Sequence, residues 1–120
     1  MQYLVLKVNN RAGLNIAHYS TSAADLLHLN RGRGKCEPIV NEDIFKVLAD
    51  RSPSSSAVLR SFKKVVTDCL TQGKAVSLDF EVLVQDKRSV KIEKQLISHW
   101  TPCKDEEGQT KYVVLVFSEG

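Results

Sequence analysis

The chain has 120 residues, the usual size of one domain with its own hydrophobic core, and a single domain is predicted over residues 1–120. Hydrophobic residues make up 42% and charged residues 26%, which excludes a wholly disordered chain. The net charge is +3, and the mixed acidic and basic residues do not predict nucleic-acid binding. No apolar run approaches the roughly 18 residues that span a bilayer, so no membrane partner is expected.

The first half of the chain predicts two strands followed by short helices. Residues 3–8 and 14–19 have strand patterns, with turn residues between them at 9–13. Ser20 or Ser22 is predicted to cap a short helix that runs to Leu29, and a basic, glycine-rich loop follows at 30–35. Asn41 is predicted to cap a second short helix over 43–48.

A longer helix is predicted next, capped by the serines at 54–56 and ended by Gly73. Its apolar residues recur at helical spacing: Val58, Phe62, Val65, Val66, Cys69 and Leu70.

After Gly73 the apolar residues recur with a period of two, which is typical of strands. The even positions from 76 to 84 are apolar, and a second strand continues through Leu96 and Trp100. Turns are predicted at 86–89 and 105–108, and a third strand at 111–117. Three consecutive antiparallel strands are therefore predicted after the long helix.

The segment 97–108 carries the most specific pattern in the chain. A strand runs into a proline, a basic residue, an aspartate and a hairpin glycine, here Pro102, Lys104, Asp105 and Gly108. With this pattern, the order of the elements resembles that of a PAS domain over nearly the whole chain. The resemblance implies an α+β PAS fold, in which short helices and one long helix pack on one face of a five-stranded antiparallel sheet.

Within the PAS family the C-terminal half resembles the LOV branch of flavin photoreceptors, notably in the His-Trp-Thr-Pro sequence at residues 99–102. That branch places its photoreactive cysteine in an Asn-Cys-Arg-Phe motif, but the matching region 41–48 has no cysteine, and Cys36 lies upstream in a loop. The LOV branch binds flavin through asparagine and glutamine side chains on its strands. By alignment, two of these positions are occupied here by Leu96 and Phe117. The resemblance thus implies a LOV-like domain without flavin photochemistry, and no cofactor is predicted. FMN or FAD binding stays as the alternative.

The histidines suggest a weaker alternative, since some PAS domains ligate haem through a histidine. His18 and His99 fall in predicted strands and His28 in a short helix, so none lies on the long helix. Haem binding is therefore not expected.

Catalytic, metal and phosphate sites are not predicted either. Ser98 and His99 are neighbours in a strand and point to opposite faces, so they cannot form a dyad. The cysteines Cys36, Cys69 and Cys103 are widely spaced, which predicts reduced thiols in an intracellular, cytoplasmic protein, without excluding the nucleus. The loop 31–35 lacks Walker spacing and is expected to be solvated.

The last strands predict two opposite surfaces. We expect a small apolar pocket, empty or holding an unidentified ligand, lined by Ile44, Phe62, Val66, Phe80, Leu96, Ser98, Leu115 and Phe117. The opposite sheet face would expose an apolar interface formed by Ile97, Tyr112, Val114 and Val116.

The sequence therefore predicts a sensory or protein-interaction module, excised from a larger signalling protein. It would associate with itself, a flanking helix or an effector domain. Trp100 is predicted to stabilise the fold and not to contact a ligand.

Overall fold

A computed structural model describes residues 1–9, 13–27, 30–31, 37–38, 41–85 and 91–119. The strands are β1 Gln2–Val8, β2 Leu14–Tyr19, β3 Asn30–Arg31, β4 Glu37–Pro38, β5 Val76–Gln85, β6 Lys91–Lys104 and β7 Thr110–Glu119. The helices are α1 Thr21–Leu27, α2 Ile44–Asp50 and α3 Ser56–Thr71. His28, Leu29, Cys36, most of the basic loop and the turn at 86–89 lie outside the described residues.

Five strands form one antiparallel sheet in the order β2-β1-β7-β6-β5, and β3 pairs with β4 in a short ribbon. The first and last long strands meet at the centre of the sheet, where Val5 pairs with Val114. This sheet and its helices confirm the predicted α+β architecture. The inner face of the sheet and the helices enclose the core, which includes Leu4, Leu115 and Trp100.

Polar side chains begin α1 and α3 as the sequence predicts. The Ala23 N–H donates to Ser20 Oγ (3.2 Å) and the Val58 N–H to Ser55 Oγ (3.3 Å), so each serine satisfies a free donor of the first turn. Gly73 ends α3 with φ +70°, a conformation that glycine adopts without a Cβ clash.

The predicted cap of α2 is wrong. Asp43 caps this helix, because its Oδ1 accepts from the Phe45 N–H at 2.8 Å. Asn41 lies upstream with φ 65° and donates its N–H to the Ile16 carbonyl oxygen (2.7 Å). Asparagine tolerates this left-handed conformation better than most residues, so here it makes a turn.

The apolar stripe of α3 is also narrower than predicted. Val66 and Leu70 are buried, and Leu59 and Phe62 pack against the core. Val58 and Val65 are 57% and 43% exposed. Each precedes a core-facing residue by one position, which turns its side chain about 100° away on a helix with 3.6 residues per turn.

Candidate interior pocket and outer sheet face

Five aromatic side chains, which we call the aromatic cluster, pack between the helices and the inner face of the sheet. Trp100 of β6 is fully buried and stacks on Phe45 of α2, with ring centroids 5.6 Å apart and 13° between planes. Phe62 of α3 packs edge-on against Trp100 at 6.0 Å and lies 5.3 Å from Phe80. Phe80 in turn lies 6.3 Å from Phe117. These contacts join two helices and three strands.

The polar groups beside the cluster are satisfied within the chain. Trp100 Nε1 donates to Ser98 Oγ at 3.0 Å, and that hydroxyl donates to the Leu78 carbonyl oxygen at 2.8 Å. A buried indole N–H normally needs such an acceptor, because leaving it unpaired costs about 1–3 kcal/mol. Ser98 therefore accepts a hydrogen bond from Trp100 and donates one to the neighbouring strand β5.

The eight residues predicted to line a pocket all lie in the layer between the helices and the sheet. Seven are buried and Phe62 is half-buried. Phe62 and Phe80 also line a cleft of about 340 Å³ between α2 and α3. The buried seven are Ile44, Val66, Phe80, Leu96, Ser98, Leu115 and Phe117.

The interior residues that the sequence analysis missed include Phe45 and Arg51. Arg51 is only 9% exposed at the end of α2, where its Nη1 donates to the Val47 carbonyl oxygen (3.1 Å) and its Nε to that of Leu27. Its own carbonyl oxygen accepts from the Leu83 N–H of β5 at 2.8 Å. The guanidinium thus joins the C-terminal ends of α1 and α2, where a cation is favourable. No local pattern predicts this, since the partners are distant in sequence.

The outer sheet face carries an apolar patch at its centre, formed by Tyr3, Val5, Tyr112, Val114 and Val116. Val5 pairs with Val114 and Tyr3 with Val116 across β1 and β7. Tyr112 is 43% exposed and the other four are half-buried. Tyr3 and Val5 were not predicted, because the pairing of the first strand with the last cannot be read locally.

Ile97 lies at the edge of this patch. It pairs with Ser118 of β7, and His99, two residues along β6, pairs with Val116. Ile97 is half-buried on the outer face of β6.

A row of polar side chains crosses β5, β6 and β7 on the same face. Ser77 Oγ lies 2.8 Å from His99 Nδ1, and Ser118 Oγ lies 2.8 Å from His99 Nε2. Hydrolytic triads place a carboxylate behind the histidine to stabilise the imidazolium, but here the third group is a hydroxyl. Ser98 is buried on the inner face, away from His99. This row ties three strands together.

In the part of the chain that the structure describes, no helix combines the length and apolar character needed to cross a membrane.

No protein-family model and no curated protein sequence matches the chain. Solved structures do. One is the LOV domain of the blue-light photoreceptor Aureochrome1 in its light state, with 12% identity, a TM-score of 0.64, and coverage of 99% of this chain and 80% of that one. Another is an RNA-binding light-oxygen-voltage receptor, with 11% identity, a TM-score of 0.67 and coverage of 98% of this chain, which spans only 28% of that protein.

The chain has a LOV-like PAS fold. Identities of 11–12% support the fold alone, so the residues of this domain decide what it can bind.

A flavin does not fit these residues. The two positions that the resemblance assigns to flavin-binding polar groups are Leu96 and Phe117, both buried in the apolar core. The described helix α2 carries Phe45 stacked on Trp100 and contains no cysteine. The described thiols are elsewhere, with Cys69 on α3 and Cys103 exposed on β6. A flavin edge here would lose its hydrogen bonds, at about 1–3 kcal/mol for each buried polar group.

Haem does not fit the described histidines either. His18 is exposed on β2, and both ring nitrogens of His99 contact serine hydroxyls on the outer face. Neither imidazole faces the core between the helices and the sheet.

Proposed function

We propose that this PAS domain is a non-catalytic sensory and interaction module of a signalling protein, and that it associates with a second copy through its outer sheet face. The apolar patch on that face is the observation that carries the proposal. We further propose an intracellular, cytoplasmic location, which the free thiols of Cys69 and Cys103 support.

The interior supports a module that works without flavin or haem. The aromatic cluster packs where the helices meet the sheet, and the buried hydroxyl and indole groups beside it already have partners. Any ligand between α2 and α3 would take the cleft beside Phe62 and not the place of Trp100.

The size of the face supports weak, reversible association. Five strands about 4.8 Å apart, with about six residues of each in contact, present about 400 Å² per copy. Two such faces bury about 800 Å² in total, which lies below the usual size of stable complexes. At about 25 cal/mol per Å², the apolar part contributes several kcal/mol before the entropic cost of association is deducted. We therefore expect dimers at micromolar or higher concentrations.

The charges around the patch favour a second copy as the occupant. Lys7 is exposed at one corner of the face, and Asp79 and Glu81 lie on β5 at the opposite corner. In a two-fold interface the same patch faces itself, so a suitable axis places the acidic corner of each copy against the basic corner of the other. Opposite charges at the rim then select this orientation.

Sedimentation of the protein over a range of concentrations tests the proposal. Val114→Glu places a charge at the centre of the patch, so we expect the dimer to dissociate while the domain stays folded. Val65→Glu is the matched control, because Val65 is 43% exposed on α3, away from the sheet face. A wild-type protein that stays monomeric throughout, or an equal effect of both variants, would contradict self-association.

Charge-reversal variants then distinguish association with a second copy from binding to a different protein. Lys7→Glu should weaken the dimer, and combining it with Asp79→Lys should restore it, since the two corners exchange signs. Failure of the double variant to recover would argue against this two-fold arrangement.

A further inference from the structure

A second cavity lies where α3 ends beside the β6–β7 hairpin, and it has a volume of about 400 Å³. Its apolar part is formed by Val8, Leu14, Leu70 and Val113. Three of these are at most 7% exposed and Val8 is half-buried, so this lining is fixed by the core. The volume falls within the range of about 300–1,000 Å³ that small-molecule sites occupy.

Among the described residues that line this cavity, Lys104 is the cation. Its side chain lies against Gly73, since a Cβ built on that glycine would be 2.8 Å from Lys104 Nζ. The Lys104 ammonium has neither a hydrogen bond nor an ion pair with any described residue. Its position at the end of α3 suits the helix dipole, but its three N–H donors have no partner in the described chain.

The nearest carboxylate in sequence is already engaged. Asp105 Oδ1 accepts from the backbone N–H groups of Glu107 and Gln109, both at 2.9 Å. Asp105 Oδ2 lies 3.8 Å from Lys111 Nζ. The turn thus holds Asp105 toward its own backbone and Lys111, and the exposed Lys104 ammonium has no described carboxylate within ion-pair distance.

Two of the three threonines that line the cavity, Thr67 and Thr71, already donate their hydroxyl hydrogens within α3. Thr67 Oγ1 donates to the Lys63 carbonyl oxygen and Thr71 Oγ1 to that of Thr67, each at 2.8 Å. Among the described lining residues, the remaining side-chain donors are the Thr110 hydroxyl, the amides of Gln72 and Gln109, and Lys104. These described residues offer one cation, three neutral donor groups and an apolar floor, which match one carboxylate attached to an apolar body.

We propose that this cavity binds an amphipathic monocarboxylate, with the carboxylate on Lys104 and the apolar body against Leu14, Leu70 and Val113. A charge-assisted hydrogen bond fixes the head group, and burial of the chain supplies the remaining affinity. A ligand with two negative charges would leave one of them without a cation among the described lining residues. The site lies outside the aromatic cluster and the outer face, so it is independent of the proposed function.

Titration of the isotope-labelled protein with octanoate, followed by nuclear magnetic resonance, tests the site. The probe should shift the backbone amides of 71–73 and 108–110 in a saturable manner. Octanol is the matched ligand, because it has the same chain length without the charge. We expect octanoate to bind at least about tenfold more tightly, since one charge-assisted hydrogen bond exceeds a neutral one by about that factor.

Two lysine variants test whether Lys104 supplies the positive charge that binds the carboxylate. Lys104→Gln should lower octanoate affinity to that of octanol and leave octanol unchanged. Lys111→Gln is the control, because this lysine lies on the same hairpin but pairs with Asp105. The proposal is overturned if octanoate shifts amides around Phe45 and Trp100, or if no saturable shift occurs up to its solubility limit. It is also overturned if Lys104→Gln keeps the preference for octanoate, or if both variants lose it equally.

Discussion

At the scale of single residues, Trp100 of β6 contacts two helices, α2 and α3, which no local sequence pattern indicates. Its ring stacks on Phe45 of α2 and meets Phe62 of α3, while its N–H donates to Ser98 on its own strand. The side chain is fully buried, so it contributes apolar burial, ring packing and one internal hydrogen bond together. It therefore holds both helices to the sheet.

Replacing this side chain should destabilise the fold strongly. Trp100→Ala is expected to lower the free energy of unfolding by about 3–5 kcal/mol, because it removes the ring and leaves a cavity. Trp100→Phe keeps part of the ring packing and should cost less. Denaturant unfolding followed by far-ultraviolet circular dichroism measures both, since the chain has no other tryptophan to report by fluorescence. An alanine variant as stable as wild type would show that the cluster does not hold the helices.

At the scale of elements, the helix ends show how side chains position the interior. Asp43 satisfies the Phe45 N–H and so begins α2 at the residue that places Phe45 over Trp100. Asn41 makes the preceding turn with a positive φ and bonds to Ile16 of β2 through its backbone. The two polar residues are two positions apart but have different roles.

Substitutions at these positions should separate the roles. Asp43→Ala is expected to cost about 0.5–2 kcal/mol, the usual loss for a helix cap. Asn41→Gly should be neutral or slightly stabilising, because glycine adopts the left-handed conformation without strain and the bond uses the backbone N–H. Thermal unfolding of both variants measures the difference. Equal destabilisation by the two would contradict the assignment of Asp43 as the cap.

At the scale of the whole molecule, the sheet separates two environments. The inner face and helices enclose the aromatic cluster, and the outer face carries the apolar patch and the Ser77-His99-Ser118 row. The molecule measures 49 × 31 × 24 Å along its principal axes. Ile92 of β6 is 50% exposed, although its side chain lies on the same side of the strand as that of the buried Leu96. The fold resembles that of photoreceptor domains, and its described interior places the apolar side chains of Leu96 and Phe117 in the core.

Blue light should therefore leave the absorption spectrum of the purified protein unchanged. The physical reason is that Leu96 and Phe117 offer no hydrogen bonds to a flavin and that Phe45 and Trp100 fill the space between α2 and the sheet. The measurement is one ultraviolet-visible spectrum before illumination and another after it. A flavin band that bleaches in light and recovers in the dark would contradict the proposal, and a Soret band would indicate haem.

Most of the architecture was predictable from local patterns. Alternation from Val76 to Val84 identifies a strand with one buried face, and the serine caps and Gly73 locate the ends of α3. The hairpin residues Pro102 and Gly108 place the last two strands beside each other. These features depend on backbone preferences and on the period of apolar residues, which are properties of short segments.

The remaining features depend on which segments meet. Whether Val65 or Leu59 faces the core is decided by how α3 lies on the sheet, and the apolar helix pattern allows both. Arg51 is buried because carbonyl groups from Val47 and Leu27 converge on it. The pairing of β1 with β7 joins residues over 100 positions apart and places Val5 beside Val114. Long-range contacts therefore decided the outer patch, the polar row and the cavity at Lys104, because each combines side chains from strands or helices that no local sequence window contains.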